Sequence, residues 1–236
     1  MAASVFWVFI GPAQLEGDRV QISGPQGHHL ARVLRVRAGE RGVAVADGRE
    51  FQVEVVDVDG GTVVARVRGD QPITGEPAVG VALLQAVLPN PDFDSVIENG
   101  TAVGVARFLA VQAERSVARP VAARLARWRV IAGSAAEQSH RGIVPDIAGP
   151  MMLNDALELV GASRLLVLDP TAAQPLSGAV GTDHSYALAV GPEGGWTEAE
   201  LAVMTARGGT RVNLGPRILR ARLAPIVAAA ILLQQR

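Results

Sequence analysis

The sequence predicts an α/β protein in which a small β-rich domain precedes a larger domain of alternating strands and helices. Three observations carry that expectation. Residues 1–72 hold short β-branched runs separated by glycine-containing turns, among them Asp47-Gly48, a strong hairpin signal. From residue 79 onward, buried-type strands alternate with helical patterns, as they do in layered α/β folds. Residues 186–220 then place two glycine-bearing loops at strand ends, where such proteins bind ligands. With 236 residues, 49% of them hydrophobic, the chain can form one large or two modest domains around a real core.

Taken in order, residues 5–10 predict a first strand and Arg19–Ile22 a short alternating one. From His28 a helical segment sets Leu30, Val33 and Leu34 on one face and Arg32 and Arg35 on another, until Gly39-Glu-Arg-Gly42 breaks it. Residues 43–46, 50–58 and 62–68 are strands, the first two joined through Asp47-Gly48. The first domain therefore spans residues 1–72. Residues 71–77, with two prolines and a glycine, form the linker, with the boundary near 73–78 and the second domain at 78–236.

That domain opens with a strand at 79–86 and a helix at Asp92–Val103, whose first acidic residues suit the positive end of the helix dipole. A strand follows at Arg107–Gln112. Residues 121–138 predict a long helix with Leu125, Trp128, Ile131 and Ala135 inward and Arg124, Arg127 and Arg129 towards water. A helix at 154–160 leads to the strand Arg164–Leu168, which ends at Asp169-Pro170.

The most informative stretch comes next. Residues 186–190 form a short apolar strand that leaves through Gly191-Pro-Glu-Gly-Gly-Trp196, and Thr197-Glu-Ala-Glu200 spells a capping box that starts a helix just after the loop. Gly208-Gly209 stops this helix, and a strand at 210–214 runs into Gly215-Pro-Arg-Ile-Leu-Arg220. Loops leaving adjacent strands would enclose a ligand crevice between residues 191–195 and 214–219. The terminal helix, from about Pro225, is apolar on more than one face (Ile226, Val227, Ile231, Leu232, Leu233), which predicts burial against a partner as well as within the subunit. A homodimer is expected.

Composition narrows the chemistry. Without cysteine there is no disulfide or thiolate zinc site, and His28, His29, His140 and His184 lack metal-ligand spacing, so no metal is expected. No apolar run approaches the roughly 20 residues that span a bilayer, and the first ten residues lack the pattern of a signal peptide. No membrane association is expected, and the location predicted is cytoplasmic. The 22 basic residues, all of them Arg, nearly balance 23 acidic ones, so any nucleic-acid surface must be a local patch.

The loop pair GPEGGW and LGPRILR, in this order, resembles the RsmE-type methyltransferases, which methylate a uridine of 16S ribosomal RNA in the small ribosomal subunit. The likeness covers nearly the whole chain. His28-His-Leu-Ala-Arg-Val-Leu-Arg35 followed by Asp47-Gly48 is similar to the family's N-terminal PUA-like β-barrel, Glu114-Arg-Ser116 to its E-R-S segment, and Glu137-Gln-Ser-His-Arg141 with Pro145 to its EQ-S-x-R-x-x-P segment. The resemblance implies a C-terminal SPOUT-type domain with a trefoil knot, S-adenosyl-L-methionine as cofactor, and a homodimer acting on 16S rRNA at ring nitrogen 3 of a uridine.

It also implies roles. Leu168, Val190, Gly191, Pro192, Glu193, Gly194, Gly195, Leu214, Gly215, Ile218 and Leu219 would hold the cofactor. His28, His29, Arg32, Arg35, Arg37, Arg115 and Arg141 would bind RNA. Arg220, or alternatively Arg217, would stabilise the negative charge that develops on the base as its proton leaves. For Glu137, Gln138 and Arg141 a hydrogen-bonded helix end is an equal alternative to a substrate pocket.

Departures from the family pattern gather near these positions. Arg-x-Glu-Thr-Ala-Pro reads Arg220-Ala-Arg-Leu-Ala-Pro225, a Lys-rich segment reads Pro89-Asn-Pro-Asp-Phe-Asp94, and Glu-Leu-Gly reads Ala102-Val-Gly104. An inward Arg222 would oppose the positive sulfonium of the donor, so Arg222 is expected to face outward, to RNA phosphate or to a carboxylate such as Glu193 or Glu198. Two other readings are a non-catalytic RNA-binding relative and an unrelated nucleotide-binding enzyme. The latter lacks support, since no Gly-x-Gly-x-x-Gly follows an early strand and no Gly-Lys-Ser/Thr loop exists.

Overall fold

The computed structural model describes residues 6–118 and 124–234, so Val5 and residues 121–123, expected in a strand and at a helix start, lie outside the described residues. The chain divides into Met1–Glu76 with Glu137–Ile143, and Pro77–Ala136 with Val144–Arg236.

In the first unit, β1 (Phe6–Phe9) is followed by a 3-10 turn at Pro12–Gln14, β2 (Leu15–Glu16), β3 (Arg19–Ile22) and α1 (Gly24–His28). A π-helical turn at His29–Leu34 leads to β4 (Arg41–Ala46), β5 (Arg49–Asp59) and β6 (Thr62–Pro72). The sheet order is β1-β4-β5-β6-β3-β2, with β1 parallel to β4 and the other pairs antiparallel. Asp47 and Gly48 both have positive φ (48° and 73°) and join Ala46 to Arg49 in a two-residue hairpin. Register shifts at Gln52/Val53 and Val55/Asp57 bend the long β5–β6 ribbon over a core that includes Phe6, Val20, Ile22, Val53 and Val63. Gly27 lets α1 lie against the sheet, since a Cβ there would come within 2.4 Å of the Ile22 carbonyl oxygen and 2.5 Å of that of Gly61.

The helix after β3 differs from expectation. It begins at Gly24 and widens into a π turn in which the Arg35 amide bonds to the Leu30 carbonyl, five residues back. Widening shifts the facing positions, so Leu30 and Val36 are buried while Val33 and Leu34 are 63% and 45% exposed. The shared face of Leu30, Val33 and Leu34 predicted from a 3.6-residue period does not form.

Glu137–Ile143 complete this unit. Glu137 Oε1 accepts from the Phe9 amide and from Gln26 Nε2, each at 3.2 Å, and the Trp7 indole N–H donates to the Arg141 carbonyl at 2.9 Å. His140, at φ 56°, stacks on the Trp7 ring with centroids 5.0 Å apart. Arg141 is 5% exposed and bonded through Nε and Nη2 to both oxygens of Glu76, which also accepts from the Gly142 and Ile143 amides.

The second unit runs β7 (Gly80–Ala86), α2 (Asp92–Val103), β8 (Arg107–Gln112), α3 (Arg124–Gln138), β9 (Asp146–Met152), α4 (Leu153–Val160), β10 (Arg164–Leu168), α5 (Leu176–Ala179), β11 (Ser185–Val190), α6 (Glu198–Ala206), β12 (Thr210–Val212) and α7 (Ala224–Leu233). The six strands pair in parallel in the order β12-β10-β11-β7-β8-β9. A parallel sheet covered on both faces explains the unbroken apolar runs in its central strands. Residues of α2, α3, α5 and α7 form a core on one face with Leu83, Phe108, Tyr186 and Leu188, and residues of α4 and α6 pack on the other with Leu84, Leu109, Val167 and Ala187.

Two elements of this unit had no counterpart in the sequence expectation. The edge strand β9 is interrupted by Gly149-Pro150, and a proline is tolerated in a ladder only at an edge or bulge; its register slips at Leu109/Val111. The other, α5, is only four residues long. Among the described residues no helix is long and apolar enough to cross a membrane.

Candidate active site

The two glycine loops do not leave adjacent strands, as the sequence suggested. β10 lies between β11 and β12, so Leu168 at its end stands between the loops. The chain lays down β7, β8 and β9 towards one edge, then places β10 and β12 beyond β11 on the other side. Such a reversal opens a crevice at the strand carboxyl ends.

A cleft occurs there. Leu168, Asp169 and Pro170 line it from the end of β10, Val212, Asn213, Leu214, Gly215, Arg217, Ile218 and Leu219 from β12 and its loop, and Ala224 from the start of α7. Its cavity volume of about 50 Å³ is far below the roughly 300–1,000 Å³ typical of small-molecule sites.

Polar groups set the cleft floor. Asp169 is 8% exposed, and its carboxylate accepts from the Thr171 amide and hydroxyl and from Arg211. Burial pushes its pKa up, but the Thr171 and Arg211 bonds outweigh burial and hold it below the ordinary aspartate value. Asn213 Nδ2 donates to the Ala172 carbonyl while its Oδ1 accepts from the Gly215 amide, which fixes the start of the loop at a glycine with φ 89°.

The other loop, residues 191–196, is rigidly supported. Thr197 and Glu200 form the expected capping box, and Glu200 Oε1 also accepts from the Glu114 amide at 2.9 Å. Arg115 Nη1 donates to the Gly194 carbonyl at 3.0 Å and to that of Trp196 at 3.4 Å. Gly191 closes the turn tightly, because a Cβ there would sit 3.2 Å from the Trp196 nitrogen.

The predicted residues therefore separate. Leu168, Leu214, Gly215, Ile218 and Leu219 line the cleft. Val190, Gly191, Pro192, Glu193, Gly194 and Gly195 belong to the loop after the neighbouring strand and do not line the cleft itself. Arg217 lines the cleft and Arg220 does not; both are exposed, and neither forms an ion pair among the described residues. In the first unit His28, His29, Arg32, Arg35 and Arg37 are exposed together with Val33 and Leu34.

One RNA assignment needs correction: Arg141 is buried against Glu76, so residues 137–141 are a hydrogen-bonded helix end, whereas Arg115 is exposed and donates through Nη1 to loop carbonyls. Cleft residues missing from the sequence expectation are Asp169, Pro170, Val212, Asn213 and Ala224. Asp169-Pro170 carried a signal, a polar stop to a buried strand; Asn213 carried none, since its role depends on Ala172 and Gly215.

Arg222 points to a different carboxylate than expected. Its Nη1 lies 2.9 Å from Asp92 Oδ1 at the first turn of α2, not at Glu193 or Glu198, and it is absent from the cleft lining. The positive charge is paired and lies outside the cleft lining.

A family model described as an RNA methyltransferase domain matches residues 75–233, and one described as an RNA methyltransferase PUA domain matches 22–68. The chain is 36% identical over 242 residues to ribosomal RNA small subunit methyltransferase E of Mycobacterium tuberculosis, spanning 97% of this chain and 90% of that protein. It is 34% identical over 229 residues to the protein of the same name from Synechocystis, spanning 94% of this chain and 75% of the relative. Among solved structures it is similar to ribosomal RNA small subunit methyltransferase E from Neisseria gonorrhoeae bound to S-adenosyl methionine, with a TM-score of 0.86, 29% identity and 94% of each chain covered.

Proposed function

Since this chain belongs to the RNA methyltransferase family and is an S-adenosylmethionine-dependent rRNA methyltransferase with a PUA domain, we propose that it methylates ring nitrogen 3 of a uridine in 16S rRNA of the small ribosomal subunit. One observation carries the assignment of the site: a cleft at the carboxyl ends of β10 and β12, lined by Arg217, which forms no ion pair among the described residues, with β11 and its glycine loop following on the next strand.

The residues present fit such a donor. Apolar side chains of Leu168, Leu214, Ile218 and Leu219 suit an adenine ring, and Gly215 (φ 89°) and Gly195 (φ 69°) leave backbone groups open to close approach. Residues 190–195 would hold the donor from the side of β11. When bound, S-adenosylmethionine supplies an electrophilic methyl group on its sulfonium. Arg217 would hold the donor side of the site, and Arg220, exposed and without an ion pair among the described residues, would face the base, where a guanidinium stabilises the charge on the uracil carbonyls as the ring proton passes to solvent water. Positioning of base against donor supplies much of the remaining rate.

His28, His29, Arg32, Arg35 and Arg37 form the RNA-contacting face of the N-terminal domain, with boundaries at residues 1–72 and 78–236 for the two functional modules. Ile226, Val227 and Ala230 of α7 keep partial exposure outside the main core, which supports a homodimer. The knotted threading of the C-terminal segment and a cytoplasmic location belong to the same proposal.

The test is transfer of labelled methyl from S-adenosylmethionine to 30S subunits lacking the modification, with the product mapped by mass spectrometry. A methyl on uridine nitrogen 3, lost in Arg220→Ala and reduced in Arg217→Ala, is the expected result. Methyl on another atom or nucleotide overturns the assignment, and donor binding without transfer points to a non-catalytic relative. The outward pairing of Arg222 removes the charge conflict that favoured that second reading.

A further inference from the structure

Two of the segments in which the sequence departs from the family pattern, residues 89–94 and 222–223, meet at one contact, Arg222 Nη1 to Asp92 Oδ1 at 2.9 Å. Asp92 is the first residue of α2 and Arg222 lies in the loop just before α7, so the pair bridges segments 130 positions apart in the chain. The contact joins a firm element to a loosely held one. Phe93, Val96 and Ile97 of α2 are fully buried, and Asp94 is bonded to Arg127 of α3. The loop from Leu214 is pinned at its start by the Asn213–Gly215 bond, and it turns into α7 through Leu223 and Ala224 amides bonded to the Arg220 carbonyl. Between those points, among the described residues, no backbone hydrogen bond joins residues 216–219 or 221–222 to another element, and Arg222 makes the loop's ion pair.

Building on the proposed function, we infer that Asp92 and Arg222 are a positioning pair that holds the cleft-lining segment 217–219 in place and thereby sets affinity for the methyl donor. Neither residue lines the cleft, so both act through the loop. Asp92 is the first residue of α2, so a helix whose next turn is buried holds its carboxylate in place for the guanidinium. An exposed ion pair gives this loop a releasable anchor.

The test uses the full chain with Asp92→Asn, Arg222→Gln and the swap Asp92→Arg with Arg222→Glu. Hydrogen exchange of ligand-free protein is expected to quicken at residues 217–223 in both single variants and to return towards the parent in the swap. Calorimetry is expected to show donor Kd raised threefold or more in the single variants and restored to within about twofold in the swap, with melting temperatures little changed. Single variants that exchange and bind like the parent, or a swap no better than the worse single variant, overturn the inference. A parent with protected loop amides that binds no S-adenosylmethionine sinks the functional proposal instead, and with it the effect on affinity, while the exchange data alone show whether the tether exists.

Discussion

Replacing Arg115 by Ala separates a loop brace from an RNA contact. Its guanidinium holds the 191–196 loop through the Gly194 carbonyl at 3.0 Å, while the Trp196 contact at 3.4 Å is near the limit of a useful hydrogen bond and adds little. Hydrogen bonds to charged groups contribute about 1.5–3 kcal/mol, but Arg115 is solvent-exposed, and screening reduces this towards about 1 kcal/mol. At about 1.4 kcal/mol per tenfold, Arg115→Ala should weaken donor binding roughly fivefold, measured by calorimetry with S-adenosylmethionine and no RNA. Arg115→Lys should recover part of the loss, since a single ammonium can reach one carbonyl but not span two. If Arg115→Ala binds donor as the parent does while its affinity for 30S subunits falls, the brace is unimportant and Arg115 belongs to the RNA surface.

Gly191→Val should abolish donor binding, because its Cβ meets backbone at 3.2–3.3 Å, whereas Gly194→Val, which meets only the flexible Arg115 stem at 3.3–3.9 Å, should retain measurable binding; equal losses would contradict this ranking. Arg141→Ala leaves Glu76 without its cation in a poorly hydrated place, and urea unfolding should show a loss of about 3 kcal/mol, a change below about 1 kcal/mol being inconsistent with a structural pair. Asp169 is held below its ordinary pKa, so its stabilising contribution is complete above about pH 4, near the unfolded value, and fades as pH falls through the lower folded value. The stability gap between parent and Asp169→Asn should therefore be flat from about pH 5 to 8 and close on further acidification; a gap that widens in acid would reverse the sign.

The regular strands and helices of the second unit were legible because their apolar residues recur with the period of the element that buries them. Asp92–Val103, Arg107–Gln112 and Arg164–Leu168 form over the predicted residues. Edge strand β9 was hidden, since Gly149-Pro150 breaks its pattern and only pairing with β8 makes it a strand. Local periodicity also failed at the π turn, where one extra residue per turn exposes Val33 and Leu34. The cleft was legible as loops but not as an arrangement. Sequence order says nothing about β10 entering between β11 and β12, and the partners of Arg115, Arg141 and Arg222 lie 65 or more positions away.

The insertion of β10 between β11 and β12 has a consequence for biosynthesis. A ribosome emits this chain from its amino end, and the cleft needs β10, β12, the loop after it and the first turn of α7, while the loop's ion pair draws on α2 from the start of the same unit. Long-range parallel pairing of this kind forms slowly, because distant segments must meet before their contacts compensate for the lost chain entropy. If the donor binds in this cleft as proposed, it cannot aid folding of a nascent chain before α7 has emerged, because Ala224 of α7 lines the cleft. Donor binding should consequently be the final signal to return during refolding, after the N-terminal sheet has already regained its structure.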